Sequence, residues 1–322
     1  MLEGSTMLVT GGTGSFGRRF AEATLRKYAL RKLIIFSRDE LKQWEMAKNL
    51  SGEDRIRFFI GDVRDRQRLY RALDGVDYVV HAAAIKIVPT AEYNPFEYVK
   101  TNIMGAMNVI DACIDREVKG CVALSTDKAS APINLYGATK LCSDKLFIAG
   151  NVYSKATRFS IVRYGNVMCS RGSVIPLFQE QAKGGILYIT DTRMTRFMIS
   201  LDQGIDLVWH AFADMSGGEI YVKKIPSMRV VDIARAVAPE AQHRITGIRP
   251  GEKLHEQMIG TEDAPLTLEY DSYYKILPQI ISHRQPNTGI PVPHTFSYAS
   301  NSNPHWMTVQ QLQEWLGNTG NA

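Results

Sequence analysis

A chain of 322 residues, 45% of them hydrophobic, is long enough for one large domain or two modest ones around a substantial core. Its net charge of +5 is spread along the chain without a basic tail or an aromatic-interleaved basic run, which excludes a nucleic-acid footprint, though a mild basic excess suits a phosphate-bearing substrate. No basic stretch followed by an apolar one opens the chain, no run approaches the ~18 apolar residues that span a bilayer, and Cys113, Cys121, Cys142 and Cys169 lack metal-ligand pairing, so the expectation is a cytoplasmic protein with no membrane segment and no metal.

From the N-terminus, short β-branched runs at residues 7–10, 32–37, 56–60, 78–82, 120–125 and 160–164 alternate with amphipathic stretches, the pattern of βαβ units around a parallel sheet. Several runs are apolar on both faces, as a sheet covered by helices on both sides requires. Helices are predicted over 14–28, 99–115 and 136–150. After about Gly165 the alternation fades and Gly, Pro and Arg become frequent, which reads as a smaller lobe of loops, short strands and helices. The stretch 280–303, rich in Pro, Ser, His and Asn, reads as irregular, and a closing helix is predicted at 308–316. The fold class is therefore α/β: a Rossmann-like, doubly wound parallel sheet over residues 1–165 and a smaller, interleaved C-terminal substrate-binding lobe over 166–322. Later segments are free to return to the sheet.

The segment Thr-Gly-Gly-Thr-Gly-Ser-Phe-Gly (10–17) lies between the first strand and the first helix. Gly11, Gly14 and Gly17 allow a tight turn and close approach of the backbone to a pyrophosphate; Thr13, Ser15 and Phe16 complete the loop at a helix N-terminus rich in N–H donors. The second strand ends in Ser37, Arg38, Asp39, Glu40, Leu41 and Lys42, where an NAD-binding unit usually places an acidic residue for the ribose hydroxyls. The Ser37 hydroxyl and the Arg38 guanidinium suit a 2′-phosphate, which predicts NADP; the competing reading pairs Arg38 with Asp39 or Glu40. Asp62, followed by Val63, ends the third strand within reach of an adenine edge. Ala82 opens an alanine run small enough for the dinucleotide to lie across the sheet.

Tyr136 and Lys140 stand one helical turn apart, shortly after Ser125 and Thr126 at the end of the fifth strand. A tyrosinate there exchanges the proton of a sugar hydroxyl, while the ammonium lowers the tyrosine pKa and holds the cofactor ribose; Thr126 adds an orienting hydroxyl. In these residues the chain resembles the extended short-chain dehydrogenase/reductase superfamily. Within that superfamily a 4-epimerase needs only the hydride-shuttling pair. A 4,6-dehydratase must also remove the C5 proton and protonate the departing 6-hydroxyl; enzymes that retain C5 carry Asp-Glu after the threonine, and those that invert it carry Asp-Lys. Here the pair is Asp127 and Lys128. Lys128, its pKa lowered by a neighbouring cation or by burial, is expected as the C5 base and Asp127 as the acid at O6; the competing reading is a solvated ion pair.

Over nearly its whole length the chain resembles the inverting UDP-N-acetylglucosamine 4,6-dehydratases, the first enzymes of pseudaminic acid biosynthesis. Besides the segments above, the likeness rests on Gly-Asp-Val-Arg-Asp (61–65), His-Ala-Ala-Ala-Ile-Lys (81–86), Glu-Tyr-Asn-Pro (92–95), Thr-Asn-Ile-Met-Gly (101–105), Asn-Leu-Tyr-Gly-Ala-Thr-Lys (134–140) and Arg-Tyr-Gly-Asn-Val (163–167). It continues in Ser-Arg-Gly-Ser-Val-Ile-Pro (170–176), Arg-Met-Thr-Arg-Phe (193–197), Ile-Pro-Ser-Met (225–228) and Gly-Ile-Arg-Pro-Gly-Glu-Lys (247–253). The resemblance implies that Lys86 touches cofactor and substrate, that Val167, Met168, Cys169, Ser170 and Arg171 line the nicotinamide end, and that Asn166 and Val174 hold the sugar nucleotide. It also implies Arg249 toward phosphate and Glu252 toward ribose hydroxyls. Arg193 and Arg196 fit either the diphosphate or surface ion pairs. Cys169 departs from the glycine common at its position.

The resemblance further implies a tightly bound NADP regenerated each cycle, UDP-N-acetylglucosamine as substrate, and a homo-oligomer, a hexamer in that family. Two rival readings stand beside it. One is a UDP-hexosamine 4- or 5-epimerase on the same scaffold. The other is a non-catalytic NADP-binding regulator, which would be expected to lack Tyr136, Lys140 or the acid–base pair.

Overall fold

Most of the β-branched runs in the first half are buried on both faces, and runs without polar alternation satisfy their backbone by parallel pairing beneath helices. In the computed structural model, which describes residues 1–170, 172–280 and 288–319, they form β1 (Thr6–Thr10), β2 (Lys32–Ser37), β3 (Ile56–Ile60), β4 (Tyr78–His81), β5 (Gly120–Leu124) and β6 (Arg158–Arg163). The strands expected at 32–37 and 56–60 match these bounds; the others differ by one or two residues at their ends, where pairing frays.

The second half adds β7 (Asn166–Val167), β8 (Ile186–Ile189), β9 (Thr195–Ile199), β10 (Ile220–Lys223), β11 (Ser227–Arg229) and β12 (Gln242–Ile245). It continues with β13 (Gln257–Ile259), β14 (Thr267–Glu269), β15 (Tyr273–Ile276), β16 (Ile290–Pro291) and β17 (Tyr298–Ala299). Among the described residues the main sheet runs β16-β14-β15-β10-β6-β5-β4-β1-β2-β3. From β3 to β10 all neighbours are parallel; β15, β14 and β16 extend the edge antiparallel. The strand order reverses between β1 and β4, the switch point where open α/β sheets receive ligands at the carboxyl ends of their strands. This is the expected doubly wound sheet.

The helices are α1 (Ser15–Lys27), α2 (Glu40–Asn49), α3 (Arg66–Ala72), α4 (Val88–Tyr93), α5 (Pro95–Tyr98), α6 (Gly105–Asp115), α7 (Leu135–Tyr153), α8 (Val174–Ala182), α9 (Leu201–Asp214), α10 (Val230–Val237) and α11 (Val309–Thr319). The helix expected over 99–115 begins earlier, at Pro95, and passes through a wide π turn at Val99–Met104 before becoming α6. That turn brings Asn102 inward, where its side chain bonds the N–H and C=O of Ile85 and the Thr139 hydroxyl, each at 3.0 Å. In the second half, α9 is a regular 14-residue helix with a Ser200–Gln203 capping box, and it packs on β5, β6 and β10.

Among the described residues two large hydrophobic cores result, with a small cluster of Ala91, Tyr98 and Tyr136 beside them. The larger surrounds the sheet. The smaller, built from Met168, Phe178, Met194, Met198, Met228, Ile233 and Leu312 among others, lies entirely in the second half. No described helix is long and apolar enough to cross a membrane.

Candidate active site

The loop from β1 into α1 is shaped by its glycines. Gly11 has φ +65°, and a Cβ on it would stand 2.9 Å from the Ala83 backbone. Gly17 lies against Gly12, where a Cβ would come within 2.5 Å of backbone, so the helix can sit close to the strand only without side chains. Gly14 is the N-cap of α1 and supplies no side-chain cap, so the first turn of the helix opens toward the end of β1, where backbone N–H groups and the helix dipole suit an anion. The Thr13 carbonyl is fixed by Arg18 Nε at 3.1 Å, and Phe16 stacks on Phe20. Across the switch point, Thr10 Oγ1 bonds His81 Nδ1 at 2.9 Å and the Ala83 N–H at 3.2 Å, which fixes Ala82 beside the cradle. A pyrophosphate fits this geometry.

At the end of β2, Ser37 is buried, and its hydroxyl and carbonyl both accept from Gln43 Nε2 at 3.0 Å. Arg38 is half-exposed and faces Asp62 Oδ2 at 3.6 Å rather than Asp39 or Glu40. Asp39 instead caps α2, accepting from the Lys42 N–H at 3.0 Å and pairing with Lys42 Nζ at 2.6 Å. Glu40 and Leu41 point outward from the first turn of α2. Asp62 also holds Arg64 at 2.7 Å, while the Val63 side chain belongs to the core. Arg38 thus keeps an exposed guanidinium at the strand end, weakly engaged and available to an anion.

The acid–base residues converge at the N-terminus of α7. Asn134 caps this helix by accepting from the Gly137 N–H at 2.8 Å, and its amide also donates to the Gly251 carbonyl at 2.8 Å. Gly137 lets the short 3-10 turn Asp127–Ala129 lie on the helix: a Cβ there would collide with the Lys128 carbonyl oxygen. The Thr126 side chain lies close enough to Tyr136 to draw its pKa down. Thr126 Oγ1 donates to Asp127 Oδ1 at 2.9 Å, and Lys128 Nζ lies 3.1 Å from that same oxygen. Lys140 is buried one turn beyond Tyr136 and near Asp144, which accepts from Ser125 Oγ at 2.7 Å and pairs with Arg163 at 3.3 Å. Thr126, Asp127, Lys128 and Tyr136 therefore cluster, with Lys140 buried one helical turn beyond Tyr136.

Its electrostatics correct two expectations. Lys128 does not have a lowered pKa: burial works against its charge, but Asp127 and Glu256 outweigh that, and the ammonium is held above the ordinary lysine range. Tyr136 is not lowered overall either. Burial pushes it up to about 12, and the cation pulling against that rise is Lys128, with Thr126 assisting, rather than Lys140. Lys140 itself is lowered by burial and partly restored by Asp144. Burial, opposed by Lys128 and reinforced by Glu256, raises Asp127, as suits a proton donor. Since Asp127 is 1% exposed, the solvated-pair reading does not hold.

The residues expected for the substrate divide. Lys86 retains solvent access, and its pKa is lowered by burial and by Lys128. Asn166 begins β7 opposite Met198, Met168 and Ser170 are buried, and Val174 opens α8 against the smaller core. Cys169 is exposed at φ +57°, a left-handed conformation that accounts for the glycine expected there. Arg171 lies outside the described residues. Arg249 is exposed, and Glu252 reaches back to its N–H at 3.4 Å. The loop carrying both is tied to the acid–base site by the Asn134–Gly251 bond and by Lys253 Nζ on the Ser130 carbonyl at 2.6 Å. Arg193 forms a surface ion pair with Asp191 at 2.8 Å, whereas Arg196 is buried and faces Glu252 and Glu256, each at 3.7 Å. Sequence reasoning missed Glu256. Its Oε1 stands 3.2 Å from Lys128 Nζ, and no local spacing links residues so far apart in the chain.

Residues 7–278 match the family model described as polysaccharide biosynthesis protein. The chain is 52% identical, over 99% of both sequences, to a UDP-N-acetylglucosamine 4,6-dehydratase (inverting) of Campylobacter jejuni. It is 43% identical to a UDP-glucose 4-epimerase of Rickettsia akari, over 86% of this chain and 84% of the relative. Among solved structures, Pen from Bacillus thuringiensis aligns with a TM-score of 0.92 and 33% identity over 100% of both chains. DesIV, a dTDP-glucose 4,6-dehydratase from Streptomyces venezuelae, shares the fold at a TM-score of 0.70 and 24% identity, over 77% of this chain and 86% of that one.

Proposed function

The chain belongs to the polysaccharide biosynthesis protein family, and from that premise we propose that it is a UDP-N-acetylglucosamine 4,6-dehydratase that inverts C5. The observation carrying this reading is the buried Asp127–Lys128 pair in one cluster with Thr126 and Tyr136, since a hydride-shuttling enzyme alone has no use for it. The identity of 52% to a relative of that name, over 99% of both sequences, supports it.

In this reading Tyr136, oriented by Thr126, takes the proton of the sugar 4-hydroxyl. Lys128 removes the C5 proton, acidified once C4 is a ketone, Asp127 protonates the departing 6-hydroxyl, and a proton then returns to C5 from the opposite face, which inverts it. A nicotinamide dinucleotide, when bound, supplies the hydride acceptor for C4 and the hydride donor for C6. Gly11, Thr13, Gly14, Ser15, Phe16 and Gly17 would hold its pyrophosphate, Asp62 and Ala82 would border it, and Lys140 would hold its ribose. Arg38, free to meet a 2′-phosphate, favours NADP over NAD; Arg38→Ala is expected to lower NADP affinity about tenfold or more while sparing NAD, as titration would read. Arg249 and Glu252 would grip the uridine diphosphate, and the smaller lobe would be the substrate-binding part. The same reading puts the enzyme in the cytoplasm as a homo-oligomer, feeding a pseudaminic acid-type sugar pathway.

The test is incubation of the purified chain with UDP-N-acetylglucosamine, reading product mass and C5 configuration. Loss of one water with inversion is expected. An unchanged mass would instead favour a 4-epimerase, the reading that the 43% identity to a UDP-glucose 4-epimerase keeps in view.

A further inference from the structure

A lysine that is to take a proton from carbon must also give one up, and Lys128 meets two carboxylates. Asp127 Oδ1 lies at 3.1 Å and Glu256 Oε1 at 3.2 Å, with both side chains no more than 2% exposed. Glu256 is also firmly placed. Its N–H donates to Ser300 Oγ at 2.9 Å, its carbonyl accepts from the Ser300 N–H at 2.8 Å, and Arg196 Nε stands 3.7 Å from its Oε1. The second oxygens of Asp127 and Glu256 are both buried without a hydrogen-bond partner among the described residues. Leaving buried carboxylate oxygens unsatisfied is costly, so their persistence beside a reactive lysine calls for a function.

The geometry points to Glu256 as a positioning residue that acts through Lys128, holding the ammonium in place and accepting a proton from it as its nitrogen takes the proton of C5. This rests on the dehydratase reading given above. Asp127 cannot serve as the acceptor if it enters the step protonated, and the surroundings favour that division. Burial and the charge of Glu256 raise Asp127, whereas Lys128, Arg196 and Lys253 draw Glu256 down against its own burial. Glu256 is thus the anion and Asp127 the acid at the start. Because Asp127 and Glu256 hold the ammonium above the ordinary lysine range, the transfers are coupled: one N–H bond of Lys128 breaks and an O–H bond forms on Glu256 as Nζ takes the C5 proton, the C–H electron pair becomes the C5–C6 double bond, and the 6-hydroxyl leaves as water with the proton of Asp127. The cluster starts and ends with the same number of protons and the same net charge. Other charges facing it are Lys86 near Lys128, Lys253 and Arg163 on the Glu256 side, and Glu252 across Arg196.

The experiment compares the wild-type chain with Glu256→Gln and Glu256→Asp in the water-loss assay, near neutral pH and at about pH 10, close to the ordinary lysine pKa. Glu256→Gln is expected to lower kcat about a hundredfold near neutrality, with KM within about threefold, and to recover most of that loss at alkaline pH where solvent takes the lysine proton. A merely structural carboxylate would give a loss that alkali does not repair, and that result, or a neutral kcat within about threefold of wild type, overturns the inference. Should Glu256→Gln fail to fold, Glu256→Asp carries the same test: reduced kcat with alkaline recovery is expected, and wild-type kcat overturns it. Absence of water loss in the wild type sinks the dehydratase reading together with this one. Water loss undiminished in the variants sinks this one alone.

Discussion

Cys169 sits at φ +57°, where a β-carbon approaches the following carbonyl and costs a residue other than glycine roughly 1–2 kcal/mol. Glycine would remove that strain but gain freedom in the unfolded chain worth roughly 0.4–1 kcal/mol. Cys169→Gly is therefore expected to stabilise the protein by about 1 kcal/mol or somewhat less, a rise of about two degrees in Tm. A lower Tm would contradict the strain. The sequence marked this position only as a departure from a resemblance; the dihedral angle supplies the reason. Lys128 teaches the converse. Its identity was legible in the chain, but its charge state was not, because beside its neighbour Asp127 a second carboxylate that raises it comes from Glu256, on a distant segment.

At the scale of elements, the acid–base site depends on how the turn at Asp127–Ala129 meets the start of α7. Gly137 allows that contact, since any β-carbon there would displace the Lys128 carbonyl. Gly137→Ala is expected to lower kcat by at least about tenfold, because an ångström of misplacement at a reacting group costs about a hundredfold. The overpacking should cost about 1–3 kcal/mol of stability. A thermally softened variant with wild-type kcat would show that the turn tolerates displacement. The elements themselves were largely readable. Runs such as Leu33–Phe36 are apolar throughout, and the strand they predicted at 32–37 matches the observed one. The π turn at Val99–Met104 was not readable, because it is held by Asn102 bonding to Ile85 and Thr139, partners that local periodicity does not reveal. In the second half, helical spacing was present at Ile205, Val208 and Phe212, yet frequent Gly, Pro and Arg around it obscured how much of the chain is regular.

Across the whole molecule, β9 joins the two largest cores, with Phe197 and Ile199 in one and Met198 in the other, and a few polar ties run beside it. The loop bearing Arg249 and Glu252 reaches the acid–base site through Asn134, Lys253 and the buried Arg196. Arg249 is exposed at the edge of this arrangement, remote from Tyr136 in sequence and without a part in proton transfer on the proposed reading. Arg249→Ala should therefore raise the KM for the sugar nucleotide about tenfold or more and leave kcat within about threefold. A change confined to kcat would reassign it.

By itself the sequence determined the doubly wound α/β class, the glycine loop between the first strand and the first helix, and Thr126, Asp127, Lys128, Tyr136 and Lys140 as candidate site residues. The fold class, the loop and the Thr126, Tyr136 and Lys140 pattern follow from periodicity or from spacing within one strand–turn–helix unit, while Asp127 and Lys128 came from the resemblance. Tertiary structure alone decided that Ser37 is occupied by Gln43, that Arg38 faces Asp62, that Arg193 and Arg196 part company, and that Glu256 completes the cluster. Those outcomes depend on burial and on charges brought together from distant segments, and electrostatic strength inside a protein is set by that surrounding rather than by the order of residues along the chain.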